Sequence, residues 1–207
     1  MKLRPTATLA LVAITAAAFL IITLSGSSNA ASLGMGFIPA RLAVEAPWPA
    51  LPVWLTPLSA TLVHGGALHL IMNLILLAWC GREVERVLGP GPLVLLYVAG
   101  AYAAAAGQYA LSPTAAYPMV GASGAISAII GAFALSFGRP RPLVRNFQLN
   151  RVLNLLWILV AWVILQWMTT YLMGMQGVMV ATGAHVGGFI AGVVLQKPLL
   201  LWRYRRA

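Results

Sequence analysis

Apolar residues fill this chain in long charge-free stretches, not in the narrow stripes of water-soluble helices. The stretches run from Pro5 to Ala40, Ala46 to Gly81, Val87 to Gly138 and Val152 to Gln196. A helix that is apolar all round is buried in a large core or in a membrane, and about 20 such residues cross a bilayer. Each of the last two stretches has room for two helices joined by a turn. The pattern predicts six spans, at residues 7–24, 67–80, 92–110, 122–138, 153–173 and 182–197. The short second and fourth spans suit helices that start below the membrane surface, inside the protein.

Composition and charge extend this picture. The 207 residues are 61% hydrophobic and 8% charged, against about 25% charged in soluble domains, and mean hydropathy is +0.89. Of 13 basic residues, only Arg41 falls in a loop on the far side of the six spans. Lys2 and Arg4 precede the first span, and Arg82 and Arg86 follow the second. Arg139, Arg141, Arg145 and Arg151 separate the fourth from the fifth, while Lys197, Arg203, Arg205 and Arg206 end the chain. The positive-inside rule then predicts that both termini are cytoplasmic. The net charge of +10 accordingly signals topology and attraction to anionic membrane lipids. Scattered through short loops, these basic residues do not form a nucleic-acid-binding surface. The apolar run Ala7 to Leu24 exceeds the usual 7–15 residues of a cleavable signal sequence, which predicts a retained first helix. A single cysteine, Cys80, excludes an internal disulfide. The expectation is an all-α, polytopic membrane protein, one domain over residues 1–207.

The chemistry stands out against this background. All three histidines lie in uncharged surroundings, His64 and His69 in the run ending at Asn73, and His185 after Ala184. Polar groups at membrane depth are functional candidates by default. With odd spans running outward and even spans inward, Ser123 opens the fourth span and His185 the sixth, both near the external face. His69 and Asn73, four residues apart, share a face early in the second span. Serine and histidine at one depth are the parts of a nucleophile and its base. Gly124, Ala128 and Ala132 form a small-residue stripe on one helix; Gly188 and Gly192 follow His185 on its face of another. Small residues let membrane helices approach closely. Amides in a first helical turn lack intrahelical partners, so the Ser123 N–H, with the His69 and Asn73 side chains, is placed to stabilise an oxyanion. The chain has no aspartate, and Glu45, Glu83 and Glu85 fall away from these positions. The arrangement predicts a dyad without a carboxylate.

Together, the His64-to-Asn73 element, Gly121-Ala122-Ser123-Gly124, and Ala184-His185 with Gly188 and Gly192 resemble the rhomboid family of intramembrane serine proteases. The resemblance covers about residues 54 to 195. It implies a six-helix rhomboid-like bundle and an endopeptidase that cleaves in or near transmembrane segments of membrane-protein substrates. It implies a Ser123–His185 dyad, an oxyanion site of His69, Asn73 and the Ser123 amide, and no cofactor or metal. Gly121, Gly124, His64, Gly188 and Glu85 are supporting residues. Glu85 matches the family's glutamate after the second helix, which implies that it anchors the first external loop. The implied location is a bacterial inner (plasma) membrane, multi-pass, with the active site opening to the external side.

Two positions depart from the family pattern. Trp54 is followed by Leu55 instead of arginine, and Ser127 occupies the place of an aromatic four residues after the nucleophile. The segment 173–179, with its glycines and adaptable methionines, is the expected lid. Rival functions fit less well. A transporter calls for intramembrane charges or broken repeat helices, and His64-x4-His69 lacks the spacing and glutamate of a zinc-protease helix. A catalytically inactive rhomboid-like module for binding or quality control would usually lack Ser123 or His185, and both are present.

Overall fold

The computed structural model describes residues 6–137, 144–174 and 181–205. Helix α1 (Thr6–Leu24) is followed by an irregular segment holding α2 (Ser28–Met35), short 3-10 turns and α3 (Thr56–Ser59). Then come α4 (Ala67–Leu88), α5 (Pro90–Leu111), α6 (Ser123–Phe137), α7 (Phe147–Gly174) and α8 (Thr182–Tyr204). Among the described residues the architecture is all-α, with one isolated antiparallel bridge between Phe37 and Met119. Beyond Gly174, the segment expected to form a lid lies outside the described residues, as do Lys2, Arg4, Arg139, Arg141 and Arg206.

Five helices, α1, α4, α5, α7 and α8, are long and apolar enough to cross a membrane. The fourth predicted span corresponds to α6, whose 15 described residues reach Phe137, beside residues outside those described. It packs against α4, α5 and α8, and Gly124, Ala125, Ile126, Ala128, Ile129 and Ala132 are all buried. Helix α4 shows how the bundle divides protein from lipid. Leu68, Ile71, Ile75 and Trp79 are exposed, spaced along one face, while Leu70, Asn73, Leu77, Cys80 and Val84 are buried.

Three helices run well beyond the hydropathy pattern, α7 at its start, where it begins at Phe147, and α4 and α8 at their ends. Helix α4 continues from residue 80 to Leu88 because Arg82, Glu83, Glu85 and Arg86 are good helix formers; Glu83 and Arg86 also pair across one turn. It stops at Gly89, whose φ of +88° takes the left-handed region open to glycine, and Pro90 starts α5 at once. Helix α8 continues through Pro198 to Tyr204.

Close backbone approach holds α5, α6 and α8 together. A methyl group at Gly188 would overlap the Gly124 carbonyl, and one at Gly192 would overlap the Ala128 carbonyl. The small residues of α6 and α8 thus face one another, so backbone meets backbone where side chains would force the helices apart.

Candidate active site

Ser123 and His185 open neighbouring helices at the same end of the bundle. Their side chains meet, with Nε2 of His185 2.8 Å from Oγ of Ser123. In the tautomer protonated on Nδ1, the hydroxyl donates to Nε2. Both residues are only partly buried.

The segment leading into Ser123 is held from three sides. Phe37 and Met119 exchange backbone hydrogen bonds of 3.0 and 2.8 Å. The Gly121 N–H donates to the Ala60 carbonyl at 2.9 Å. The Ala122 N–H donates to Nε2 of His64 at 3.4 Å. His64 lies in the loop before α4 and is buried. Burial, and secondarily the neighbouring His69, lower its pKa from the usual 6.5 to about 4, which keeps Nε2 an acceptor at neutral pH.

Gly121 has φ +112°. A Cβ there would stand 2.7 Å from Cε1 and 2.8 Å from Nε2 of His69, and 3.8 Å from Oγ of Ser123. The His69 ring therefore rests against the Gly121 backbone, close to the serine. It also meets the His64 ring edge-on, with centroids 5.1 Å apart. Asn73 is buried, and its side-chain amide donates to the His69 carbonyl at 2.8 Å. An amide nitrogen carries two hydrogens, so this bond uses one of them.

Ser127 is buried and donates from Oγ to the Ser123 carbonyl at 2.8 Å. A Cβ on Gly188 would meet Ser127 Cβ at 3.2 Å, so Ser127 sits where α6 and α8 are nearly in contact. The aromatic support on His185 comes from elsewhere. Trp162 of α7 donates from Nε1 to the His185 carbonyl at 3.4 Å and stacks on Phe189 at 5.1 Å between centroids. Sequence reasoning missed this pair. Phe189, one helical turn after His185, was the available signal.

Glu85 differs from the resemblance-based expectation. Its carboxylate accepts from the N–H groups of Ala7 and Thr8 and from the Thr8 hydroxyl, at 3.0, 2.8 and 2.6 Å. It ties the start of α1 to the end of α4. Glu85 is 16 residues from His69 along α4, about 24 Å at 1.5 Å per residue, too far to hold the loop beside Ser123. That loop is instead anchored by the Phe37–Met119 bridge, by the Ser59 hydroxyl donating to the Met35 carbonyl at 2.7 Å, and by Arg41 donating to the Leu51 carbonyl at 2.7 Å.

Comparison with known proteins adds a lineage to this geometry. Residues 52–202 match the model of the rhomboid domain. The chain is 33% identical over 131 residues to the rhomboid protease GluP of Bacillus subtilis (strain 168), an alignment covering 62% of this chain and 24% of that protein. It is 28% identical over 188 residues to the rhomboid protease GlpG of Pectobacterium atrosepticum, covering 91% of this chain and 60% of that one. The chain thus spans less than two thirds of the length of these relatives. With a match extending over most of its length, this membrane protein belongs to the rhomboid family.

Proposed function

We propose that the protein is an intramembrane serine endopeptidase that cleaves membrane proteins in or near their transmembrane segments. The observation that carries this reading is the 2.8 Å separation of Ser123 Oγ and His185 Nε2, at one end of a helical bundle with apolar outer faces. Ser123 attacks the scissile carbonyl carbon, and its hydroxyl proton passes to His185 Nε2. The resulting oxyanion is stabilised by the Ser123 amide and by His69 and Asn73. His185 then gives its proton to the leaving nitrogen, which releases the amine product and leaves an acyl ester on Ser123. Water, deprotonated by His185, hydrolyses that ester and restores the hydroxyl.

A substrate helix hides its carbonyls in its own hydrogen bonds, so it must unwind locally before Ser123 can reach one. The arginine distribution supports an orientation with both termini cytoplasmic and Ser123 facing the external side of a bacterial plasma membrane.

Ser123→Ala and His185→Ala should each abolish cleavage of a transmembrane substrate in proteoliposomes while retaining wild-type melting behaviour. The double variant should be no worse than either single one, because residues acting as a unit are non-additive. Cleavage by Ser123→Ala at the wild-type rate would rule out this mechanism, whereas a wild type that binds the substrate without cleaving it would leave the chain as a rhomboid-like binding module.

A further inference from the structure

At the end of the bundle away from Ser123, α4 stops, α5 starts and α8 ends around an open cleft of about 370 Å³. Its walls include Gly89, Pro90, Pro92, Trp202, Arg203 and Arg205. The volume falls in the range of small-ligand sites, about 300–1,000 Å³. Both charged residues in the lining are arginines. The chain has three acidic residues, and none lines the cleft. Glu83 pairs with Arg86, Glu85 accepts from Ala7 and Thr8, and Glu45 is exposed in the segment between α1 and α4.

The arginines are set into the fold. Arg203 donates from Nη1 to the Arg86 carbonyl at 2.8 Å, and its guanidinium lies over Gly89, where an added Cβ would meet it at 3.7 Å. That bond engages one of the five guanidinium donors. The Arg205 guanidinium sits 5.8 Å from the centre of the Trp202 ring. Helix α5 begins Pro90-Gly91-Pro92, and proline has no N–H, so the helix start contributes partial positive charge but few donors. Recognition of an anion here falls to the guanidinium forks, which match phosphate geometry.

Position selects the kind of phosphate. The cleft lies where three helices long and apolar enough to cross a membrane have their ends, and Trp202 and Tyr204 beside it are residue types that concentrate at the depth of lipid headgroups. Leu201 and Trp202 in the last turn of α8, and Val94 and Leu95 early in α5, are exposed and offer apolar surface beside the charges. We propose that this cleft is a binding site for one anionic glycerophospholipid, with Arg203 and Arg205 on its phosphodiester and Trp202 against the glycerol and upper acyl carbons. This inference is independent of the proposed chemistry, which sits at the opposite end of the bundle.

Positive-inside bias places arginines at this end in any case, so the test must separate a site from a general field. The full chain in neutral detergent would be titrated by native mass spectrometry with phosphatidylglycerol, phosphatidylcholine and inorganic phosphate. Single phosphatidylglycerol adducts should form at concentrations about tenfold lower than phosphatidylcholine adducts, because both lipids carry the phosphodiester but the choline cation cancels its charge and is repelled by the two guanidinium groups. Arg203→Gln with Arg205→Gln should remove that preference. Arg205→Gln alone, at an exposed side chain, should weaken phosphatidylglycerol binding severalfold without touching the Arg203 anchor. Arg82→Gln with Arg145→Gln, which removes the same charge from exposed positions elsewhere, should leave it intact. Equal loss in that control pair, unchanged binding in Arg205→Gln, or displacement of the lipid by equimolar inorganic phosphate would each overturn the proposal.

Discussion

Gly121 performs two tasks that no residue with a side chain combines: it takes φ +112° and lets the His69 ring lie against its backbone. Gly121→Ala should therefore displace His69 and strain the approach to Ser123. If His69 is an oxyanion donor, turnover should fall on the order of 10²-fold, as for loss of one such donor, with a smaller change in substrate affinity; wild-type turnover would return His69 to a structural role. His64 carries a second prediction. Its folded pKa of about 4 lies below the usual 6.5, so between those values the unfolded chain binds a proton that the folded chain does not. Stability contributed by neutral His64 is present above pH 6.5 and is lost as pH falls towards 4. The melting temperature of wild type in detergent should thus fall more steeply over that window than that of His64→Gln; parallel curves would place the titration elsewhere. Ser123, His185, His69 and Asn73 were legible in the sequence because they are rare polar groups in apolar runs. The left-handed backbone of Gly121 and the Trp162–His185 bond were not, since both arise from the docking of separate segments.

At the scale of elements, the geometry at Ser123 depends on how closely α6 and α8 approach. Gly188 and Gly192 set that distance by placing backbone against the Gly124 and Ala128 carbonyls. Gly192→Val should push the helices apart and destabilise the protein by about 1–3 kcal/mol or more, the scale of overpacking in a core. Cleavage should also fall, although Gly192 is two turns from His185. A variant with wild-type melting and wild-type rate would show that the helices are not held by this contact. The small-residue spacing behind this packing was visible in the sequence. Helix ends were less legible: charge marked the end of a span at residues 80 and 197, whereas α4 and α8 carry their charged turns onward to Leu88 and Tyr204. Between α1 and α4, the short helical turns have too few residues to show a period. The role of Glu85 was misplaced for a related reason. Its partners, Ala7 and Thr8, are 77 or 78 residues away, and only tertiary structure brings them to its carboxylate.

For the whole molecule, the apolar runs were enough to specify a helical membrane protein, and the order of three polar elements was enough to suggest its family. What hydropathy could not convey is that neighbouring helices surround α6 and bury its apolar residues. In the proposed mechanism, the same enclosure lets a serine at the start of a buried helix, paired with a histidine from another, act as a nucleophile within a membrane protein. The most direct measurement is reaction of the purified full chain in detergent with a fluorophosphonate, followed by peptide mass spectrometry to locate the adduct. A nucleophilic Ser123 should carry one phosphonyl group, Ser127 and Ser136 none, and His185→Ala should lose labelling. An unlabelled wild type, or a His185→Ala variant labelled at the wild-type rate, would contradict that mechanism.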